Sequence, residues 1–421
     1  MTAVLGATLL MRVSSGVTAG LVVYYLADLP RYGGPSVDPL VVGVLTAGFF
    51  LSELLLSAPF GILGDRMGHR PVMLAGPLFG AAAAIWAGTT TDLLVIGVTR
   101  LLHGASSAAS IPSTLAYLAR DTSGDEGWRG RVVARFQLVS LVGLGGGLVA
   151  AGPLWDHLLV WAFPANGLLY GISWLAYLQC RRDPPNTARS GSLGDTQVWR
   201  LNSTALRDSR VLLLVPTWVC VNAALGLWTS QTIFQLVNAP EPRFSAQHLM
   251  GRLTPTEVSL GLALGGISFV GGLLFWGDRF RAIRRTTMIL LGGTGGLATV
   301  AGLVAVNHSE SGPPLTELGG AVLVVGGLFV LAAAMPAALG MLSDITELHP
   351  DERGAVMGLY TVFLGLGQIV GSLVGGEAGQ DFGVDGVLAA TTALVLIALV
   401  PLWKLRGVED SVEASEPIGT E

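Results

Sequence analysis

Residues 61–70, which read GILGDRMGHR, are the most informative stretch of this chain. The segment carries Asp65, Arg66 and Arg70 between two long apolar stretches and spaces them with glycines. Charged groups are costly inside lipid, so such a segment belongs at a membrane surface, where Asp65 can cap a helix end and the arginines stay in water. The sequence therefore predicts a charged turn that joins two membrane helices.

The composition of the whole chain is that of a membrane protein. Hydrophobic residues make up 51% of the 421 positions and charged residues only 13%, whereas a soluble domain carries about a quarter charged residues. Glycine occurs 58 times, which in an apolar chain indicates closely packed membrane helices rather than flexible linkers. The two cysteines, Cys180 and Cys220, provide neither a disulfide framework nor metal-site spacing. We expect no metal and no cofactor.

Twelve segments of the chain are long enough to cross a bilayer, since a span needs about 20 mostly apolar residues. The predicted spans are 4–27, 39–60, 71–89, 93–119, 131–152, 157–179, 211–237, 256–276, 286–306, 316–343, 354–377 and 384–403. A polar segment rich in Ser, Thr and Arg separates the sixth span from the seventh. The predicted domains are a six-helix bundle at 1–180, a cytoplasmic linker at 181–210, a second six-helix bundle at 211–406 and an acidic cytoplasmic tail at 407–421.

The basic residues predict that both termini face the cytoplasm. In this orientation 18 of the 24 Lys and Arg residues lie in inner segments, three in outer loops and three within spans. Inner loops of membrane proteins carry such an excess of basic residues. The predicted location is the cytoplasmic membrane, which the chain crosses many times.

Two parts of the chain repeat each other at a constant offset of 224 residues. Arg129-Gly130, Gly143, Gly147 and Ala151 of the fifth span correspond to Arg353-Gly354, Gly367, Gly371 and Gly375 of the eleventh. Small residues at every fourth position form a smooth helical stripe that lets another backbone approach closely. Plain helix packing would account for one stripe, whereas the repetition favours a pair of sliding seams between two bundles.

A weaker copy of the charged turn follows the eighth span. It reads Gly277-Asp278-Arg279-Phe280-Arg281, with Leu274 at the place of Gly61. The pattern Gly-x-x-x-Asp-Arg-x-Gly-x-Arg at 61–70, its second copy, the repeated Arg-Gly helix starts and the twelve spans together resemble the major facilitator superfamily over nearly the whole chain. The resemblance implies an all-α membrane protein whose two pseudo-symmetric six-helix bundles rock about a central site and open it alternately to each side.

The resemblance also implies a cytoplasmic latch. Asp65 would meet the amino end of the eleventh helix near Gly354 and Gly358, while the arginines would hold the turn and reach the end of the fourth helix. Asp278 would act in the same way, more loosely, near Gly130. The alternative is that these residues only anchor short loops at the lipid headgroups. The residues assigned to the latch are Gly61, Asp65, Arg66, Gly68, Arg70, Asp121, Asp278 and Arg279.

Ionisable residues within predicted spans are the main candidates for a proton or substrate pathway, because a charge at the bilayer centre costs at least about 2.5–3.5 kcal/mol on insertion scales. Arg12, Glu53, Arg100 and Arg135 meet this description. Arg12 and Glu53 lie at similar depth, roughly 10–12 Å above the inner edge at 1.5 Å per residue. We hypothesise that they can pair and that Arg135 competes for the carboxylate. Glu53 is the preferred proton carrier, and a static ion pair is the alternative.

The sequence Arg100-Leu101-Leu102-His103-Gly104 resembles a second signature of the superfamily, which lies on its fourth helix and is associated with proton-coupled exporters. His103 would share a proton or contact a substrate, although a single intramembrane histidine is more often only hydrogen-bonded to a neighbour. The antiporter signature of the fifth helix is incomplete. Gly147-Leu148 stands where that signature has Gly-Pro, and Pro153 is displaced toward the outer end, which weakens the assignment to export.

In this superfamily the substrate site is lined by the first, fourth, seventh and tenth helices, between the halves and near the midplane. The seventh span supplies an uncharged mixture of aromatic and amide side chains: Trp218, Asn222, Trp228, Gln231 and Gln235. Such a wall suits a largely apolar molecule held by one or two polar contacts. The alternative for the tryptophans is an interfacial or lipid-facing position.

The chain contains no catalytic grouping, no metal-ligand spacing and no ATP-binding loop, so it is not predicted to be an enzyme. We predict a secondary active transporter that exports a hydrophobic or amphipathic small molecule by proton antiport. The alternatives are a proton-coupled uptake permease for a small organic anion, bound by Arg12 or Arg100, and a non-transporting membrane sensor or assembly protein. The expected partners are the small molecule, protons and the lipid bilayer, without nucleic acid, and a monomer is expected.

Overall fold

The computed structural model describes residues 2–122, 126–181, 209–239, 241–279, 283–309, 314–338, 340 and 353–413. Every regular element in this part of the chain is helical. The α-helices are α1 (Thr2–Ala27), α2 (Pro39–Met67), α3 (His69–Ala87), α4 (Leu93–Asp121), α5 (Glu126–Leu158), α6 (Ala162–Leu178), α7 (Ser209–Val237), α8 (Pro255–Arg279), α9 (Arg285–Asn307), α10 (Pro314–Leu331) and α11 (Arg353–Glu413).

The helices follow the predicted spans. Each of α1 to α10 begins within five residues of a predicted span, and α11 runs through the eleventh and twelfth spans with a break at Gly383, where φ is 63° and ψ is −142°. Nine helical stretches in the described part are long and apolar enough to cross a membrane, and two of them, Gly127–Leu178 and Thr361–Leu402, each overlap two predicted spans. The total of twelve crossings remains a prediction.

Parts of the predicted organisation fall outside the described residues. These are most of the linker (182–208), the far end of the tenth span (341–343) and the end of the acidic tail (414–421). The two cysteines are free, and Cys180 is buried. Burial raises the pKa of the Cys180 thiol, which disfavours the reactive thiolate and agrees with a packing role.

The charged turn predicted at 61–70 is much shorter in the structure. Helix α2 continues to Met67 and α3 begins at His69, so Gly68 alone forms the break. Gly68 has φ 90° and ψ 150°, a backbone conformation that is nearly restricted to glycine. The prediction that Asp65 caps a helix end is wrong for α3, because Asp65 lies in the last turn of α2 and no side chain caps α3.

We expect Gly68→Ala to lower the free energy of unfolding by about 1–3 kcal/mol, the usual cost of forcing a side chain into such a conformation. Gly61→Ala is the matched control from the same motif. Gly61 is helical, and a methyl group added to it would have no atom within 4 Å. Thermal unfolding of the purified variants in detergent measures the difference. Equal melting temperatures for Gly68→Ala and the parent would contradict this expectation.

Contacts divide the chain into two units. Unit 1 holds α1–α6 together with the end of α7 from Thr229 and the start of α8 up to Ala263. Unit 2 holds the rest of α7 and α8 with α9, α10 and α11. Each of α7 and α8 is thus divided between the two units, and the predicted domain boundaries stay a prediction. The reason is local packing, because Ile233 and Phe234 of α7 and Val258 of α8 belong to the apolar core of unit 1.

A glycine seam joins α1 to α5 inside unit 1. A methyl group added to Gly143 would lie 2.8 Å from Cβ of Arg12, and one added to Gly147 would meet the backbone carbonyl of Val13. From the opposite helix, a methyl group on Gly16 would meet the backbone of α5. The backbones of α1 and α5 are therefore in direct contact, as the stripe of small residues predicts.

The same seam recurs between α7 and α11 inside unit 2. A methyl group on Gly367 would lie 2.7 Å from Cβ of Asn222, one on Gly371 would meet the Ala223 carbonyl, and one on Gly226 would meet the backbone of α11. Each contact repeats one in unit 1, with α5 and α11 residues 224 positions apart and α1 and α7 residues 210 apart. The expectation of sliding seams between two bundles is corrected, because each stripe packs within its own unit.

Candidate functional site

A cluster of polar side chains lies inside unit 1, where α4 faces α1 and α2. It consists of Arg100, His103 and Ser107 of α4, Ser15 of α1 and Glu53 of α2, and we call it the α4 polar cluster. The three α4 residues are three and four positions apart, so they share one helical face. Arg100 is 5% exposed and His103 is 1% exposed. These two groups therefore face the protein interior rather than lipid.

Hydrogen bonds define the protonation of His103. Arg100 Nη1 lies 3.2 Å from His103 Nδ1, and His103 Nε2 lies 2.9 Å from Ser15 Oγ. An arginine only donates, so Nδ1 accepts and the ring proton is on Nε2, which donates to Ser15. The geometry thus assigns a neutral imidazole. Phe49 supports the pair, with its ring 4.8 Å from the imidazole and 5.3 Å from Arg100 Cζ, which adds a cation–π contact.

Glu53 is the acidic member of the cluster. Ser107 Oγ donates a hydrogen bond of 2.5 Å to Glu53 Oε1, and the Glu53 side chain is partly exposed. Arg12 interacts with Glu53 electrostatically, but among the described residues no hydrogen bond or ion pair joins the two side chains. Arg12 also interacts electrostatically with Tyr170 and Tyr177 of α6. The hypothesised pairing is thus a longer-range interaction in this structure.

Arg135 is not part of this cluster. Its side chain is exposed, and its Cζ lies 5.4 Å from the ring centroid of Trp128 on the same helix. The structure therefore does not support the expectation that Arg135 competes for Glu53, because the guanidinium is engaged with an aromatic ring of its own helix. Position along α5 alone did not indicate which way the side chain turns.

The side chains predicted to form a wall of the substrate site on α7 are divided between the two units. Trp218 is 6% exposed and lies in the apolar core of unit 2 with Met288, Ile289 and Leu402. Trp228 is partly exposed in unit 2, whereas Gln231 belongs to unit 1. The Gln231 amide is buried, donates to the Pro39 carbonyl of α2 at 3.0 Å and accepts from Gln235 at 3.3 Å.

Asn222 and Arg12 occupy corresponding places in the two glycine seams. Each has its Cβ against the first glycine of the stripe, Gly367 for Asn222 and Gly143 for Arg12. Asn222 is 7% exposed, and its Nδ2 donates to the Trp218 carbonyl at 2.9 Å. The internal repeat therefore places two predicted pathway residues at equivalent positions, one basic and one neutral.

The residues assigned to the latch lie at the helix ends of their units. Asp65 is exposed, with Oδ1 3.7 Å from His69 Nε2, and Arg66 is also exposed. Arg70 Nη2 donates to the Leu178 carbonyl at 2.6 Å, where a cation is favoured because it faces the C-terminus of α6. Asp121 is exposed at the end of α4. The expected partners of Asp65, near Gly354 and Gly358, lie in a stretch whose side chains are outside the described residues.

The second copy of the charged segment ends α8. Arg279 Nη1 donates to the Phe275 carbonyl at 3.1 Å, and its Cζ lies 3.6 Å from the Phe275 ring centroid. Asp278 is exposed. Arg279 therefore packs on its own helix, and the contact expected between Asp278 and Gly130 stays a prediction.

Sequence reasoning missed three members of this site. Ser107 lies four positions after His103, Phe49 lies four positions before Glu53, and both spacings put the pairs on one helical face. These signals were available in the sequence. Ser15 lies three positions after Arg12, but nothing in the sequence indicates that it turns toward His103. Helix rotation within the unit decides that contact.

The sequence of this chain matches a known protein family. A family model described as the Major Facilitator Superfamily matches residues 4–316 and 244–420. The chain is 31% identical over 202 residues to the multidrug transporter MdfA of Edwardsiella ictaluri, a match that covers 47% of this chain and 44% of that protein. It is 24% identical over 374 residues to multidrug resistance protein 1 of Bacillus subtilis, covering 86% of this chain and 87% of the relative.

A solved structure shows the same fold. The nucleoside transporter NupG superposes with a TM-score of 0.71, covering 96% of this chain and 98% of NupG, at 14% sequence identity. At that identity the likeness concerns the fold alone. The α4 polar cluster thus lies within a fold that is shared with a membrane transporter.

Proposed function

Because this chain belongs to the major facilitator superfamily of multi-pass membrane transporters, we propose that it exports a hydrophobic or amphipathic small molecule across the cytoplasmic membrane in exchange for protons. It is a transporter and not an enzyme. The proposal includes twelve crossings in two pseudo-symmetric six-helix bundles, both termini in the cytoplasm, alternating access and a monomeric protein. The names of the multidrug relatives support efflux over other directions of transport.

One observation carries the proton-coupled part of this proposal. Glu53 is a carboxyl group in a membrane helix, hydrogen-bonded by Ser107 and within electrostatic range of Arg12. A carboxyl group in such a place is expensive to insert into a membrane and is a functional candidate by default. A movement that separates Glu53 from Arg12 or Ser107 would change its affinity for a proton. The group is therefore suited to take up a proton in one conformation and release it in another.

The second candidate function is proton-coupled uptake of a small organic anion. Arg12 favours it, because this half-buried guanidinium has a buried Nε without a hydrogen-bond partner among the described residues. An arginine in that state is suited to bind a carboxylate or a phosphate. A membrane sensor or assembly protein that does not transport is the third candidate.

Liposomes that contain the purified protein and carry an imposed pH gradient separate these candidates. Proton-driven movement of a lipophilic fluorescent dye, reversed when the gradient is reversed, is the expected result. Gradient-driven uptake of a labelled organic anion without dye movement would support the permease instead. Movement of neither compound, with the folded protein verified in the same liposomes, would support the third candidate. Proton release on addition of individual compounds would then narrow the substrate class.

The latch at 61–70 is part of this proposal. We expect Asp65→Asn to slow transport roughly two- to five-fold, because it removes a negative charge that would stabilise the amino end of another helix. The amount of inserted protein should not change, since Asp65 is 59% exposed and makes no cap in its own unit. Initial rates in the liposome assay, normalised to reconstituted protein, measure the effect. An unchanged rate would remove Asp65 from the latch.

A further inference from the structure

Unit 1 contains a polar contact between the end of α5 and the start of α8. Asp156 Oδ2 accepts hydrogen bonds from the Thr256 backbone amide at 2.9 Å and from Thr256 Oγ1 at 2.5 Å. Thr256 is the second residue of α8, so the carboxylate lies at the positive end of the helix dipole. We propose that Asp156 is a releasable latch, separate from the cytoplasmic latch at 61–70. It holds the start of α8 to α5 at the predicted outer surface and opens during transport. This inference rests on the proposed transport function.

The amino-terminal groups of α8 show why Asp156 is needed. Thr254 and Glu257 form a capping box, in which Thr254 N donates to Glu257 Oε2 at 2.8 Å and Glu257 N donates to Thr254 Oγ1 at 3.3 Å. The Val258 amide donates to the Thr254 carbonyl at 3.0 Å, and Pro255 has no amide hydrogen. The Thr256 amide is thus the member of this first turn whose acceptor comes from another helix.

This contact is suited to open and close. Both Asp156 and Thr256 are exposed, so water can satisfy the carboxylate and the amide as soon as the contact breaks. A buried carboxylate would instead be costly to release, because it would stay unpaired in the protein interior. The latch therefore favours the closed arrangement without locking it.

The α5 side of the latch is firmly anchored. Trp155, the neighbour of Asp156, is 2% exposed, and its indole Nε1 donates to Asp28 Oδ2 at 3.1 Å. Its ring packs edge-on against Tyr25 and Phe163, with centroid distances of 6.0 and 6.3 Å. These contacts fix the end of α5. The start of α8 is therefore the element that moves when the latch opens.

The α8 side connects the latch to the rest of the protein. Ser259, one turn into α8, is 2% exposed, and its Oγ accepts from the Gly152 amide of α5 at 3.1 Å. The Tyr24 hydroxyl donates to the Pro255 carbonyl at 3.1 Å. Helix α8 starts in unit 1 and belongs to unit 2 beyond Ala263. In this proposal the start of α8 leaves α5 when the transporter changes conformation, and Ser259 becomes accessible when the contact breaks.

Cysteine labelling of Ser259→Cys tests the latch. The reporter is placed in the full-length protein with Cys180→Ala and Cys220→Ala and reconstituted in nanodiscs, where a water-soluble maleimide reaches both faces and orientation does not matter. We expect Asp156→Asn to raise the labelling rate about five-fold, since it removes the charge that favours the closed arrangement. Thr256→Val, which removes only the hydroxyl donor, should give a smaller increase.

Asp92→Asn is the matched control. Asp92 Oδ1 accepts from the Leu94 and Val95 amides, so it caps the start of its own helix, α4, at the same predicted surface. The labelling rate of the Asp92→Asn variant should stay within about two-fold of the rate of the reporter protein, because the Asp92 cap joins no second helix. An unchanged rate in Asp156→Asn, or the same acceleration in Asp92→Asn, would overturn the latch.

A variant that does not fold and a protein that does not transport can each be distinguished from a negative labelling result. Melting temperatures of all variants identify one that is not folded, and if Asp156→Asn is not recovered, Thr256→Val decides, with an unchanged rate counting against the latch. The labelling needs neither a substrate nor a gradient. A failure to transport dye in liposomes therefore contradicts the proposed function without bearing on the labelling, and the converse also holds.

Discussion

Gly147→Ala will lower the melting temperature of the protein, whereas Gly146→Ala, one residue earlier on the same helix, will not. A methyl group on Gly147 meets the backbone carbonyl of Val13 and lies 2.9 Å from the Val17 amide nitrogen. Backbone atoms cannot move aside as a flexible side chain can, so we expect a loss of about 1–3 kcal/mol in unfolding free energy. A methyl group on Gly146 has no atom within 4 Å.

The two substitutions are expected to differ in sign as well as in size. Alanine is intrinsically favoured over glycine in a helix by roughly 1 kcal/mol, so Gly146→Ala should leave the stability unchanged or raise it. Gly371→Ala should behave like Gly147→Ala, because the added methyl group meets the Ala223 carbonyl in the corresponding seam of unit 2. Thermal unfolding in detergent gives all three values. If Gly147→Ala and Gly146→Ala melt at the same temperature, the close approach of α1 and α5 is wrong.

Glu53→Gln will reduce proton-driven transport at least about ten-fold, since a glutamine cannot carry a proton in the membrane interior. The substitution preserves the size of the side chain and an oxygen that accepts the hydrogen bond from Ser107. We therefore expect the variant to fold and insert normally, so the loss would reflect titration rather than packing. Initial rates of dye movement in liposomes with an imposed pH gradient measure the effect.

Glu317→Gln is the control for Glu53→Gln. Glu317 is exposed in the first turn of α10, so neutralising it should leave the rate close to that of the parent protein. If Glu53→Gln transports as fast as the parent at every imposed gradient, Glu53 is not the proton carrier. Dye movement without any response to the gradient would instead indicate that transport persists while coupling is lost, which agrees with the proposed role.

The candidate site shows which contacts sequence patterns could predict and which they could not. Arg100 and His103 were singled out because charged and titratable groups are rare in membrane helices, and the structure brings them together at 3.2 Å. The same reasoning placed Arg135 beside Glu53, but Arg135 packs on Trp128. Depth along a helix follows from the sequence at 1.5 Å per residue. The direction of a side chain around the helix depends on how that helix rotates against its neighbours.

Sequence patterns were sufficient to identify this protein as a bundle of membrane helices of the major facilitator superfamily. Lipid offers no hydrogen bonds to backbone amide and carbonyl groups, so a segment that crosses it must satisfy them internally, as a helix does. The length and apolarity of each segment were therefore enough to place the helices. The repeat of small residues at an offset of 224 was also visible in the sequence alone.

The contacts that these features make could be seen only in the packed helices. The structure showed that the stripes of α5 and α11 pack on α1 and α7 inside their own units, that Gly68 alone forms the break between α2 and α3, and that Ser107 supports Glu53. It also showed that Asp156 of α5 accepts a hydrogen bond from Thr256 of α8, a residue 100 positions further along the chain. Hydropathy fixes whether a segment enters the membrane, but side-chain packing fixes how each helix turns, and packing depends on all the neighbouring helices at once.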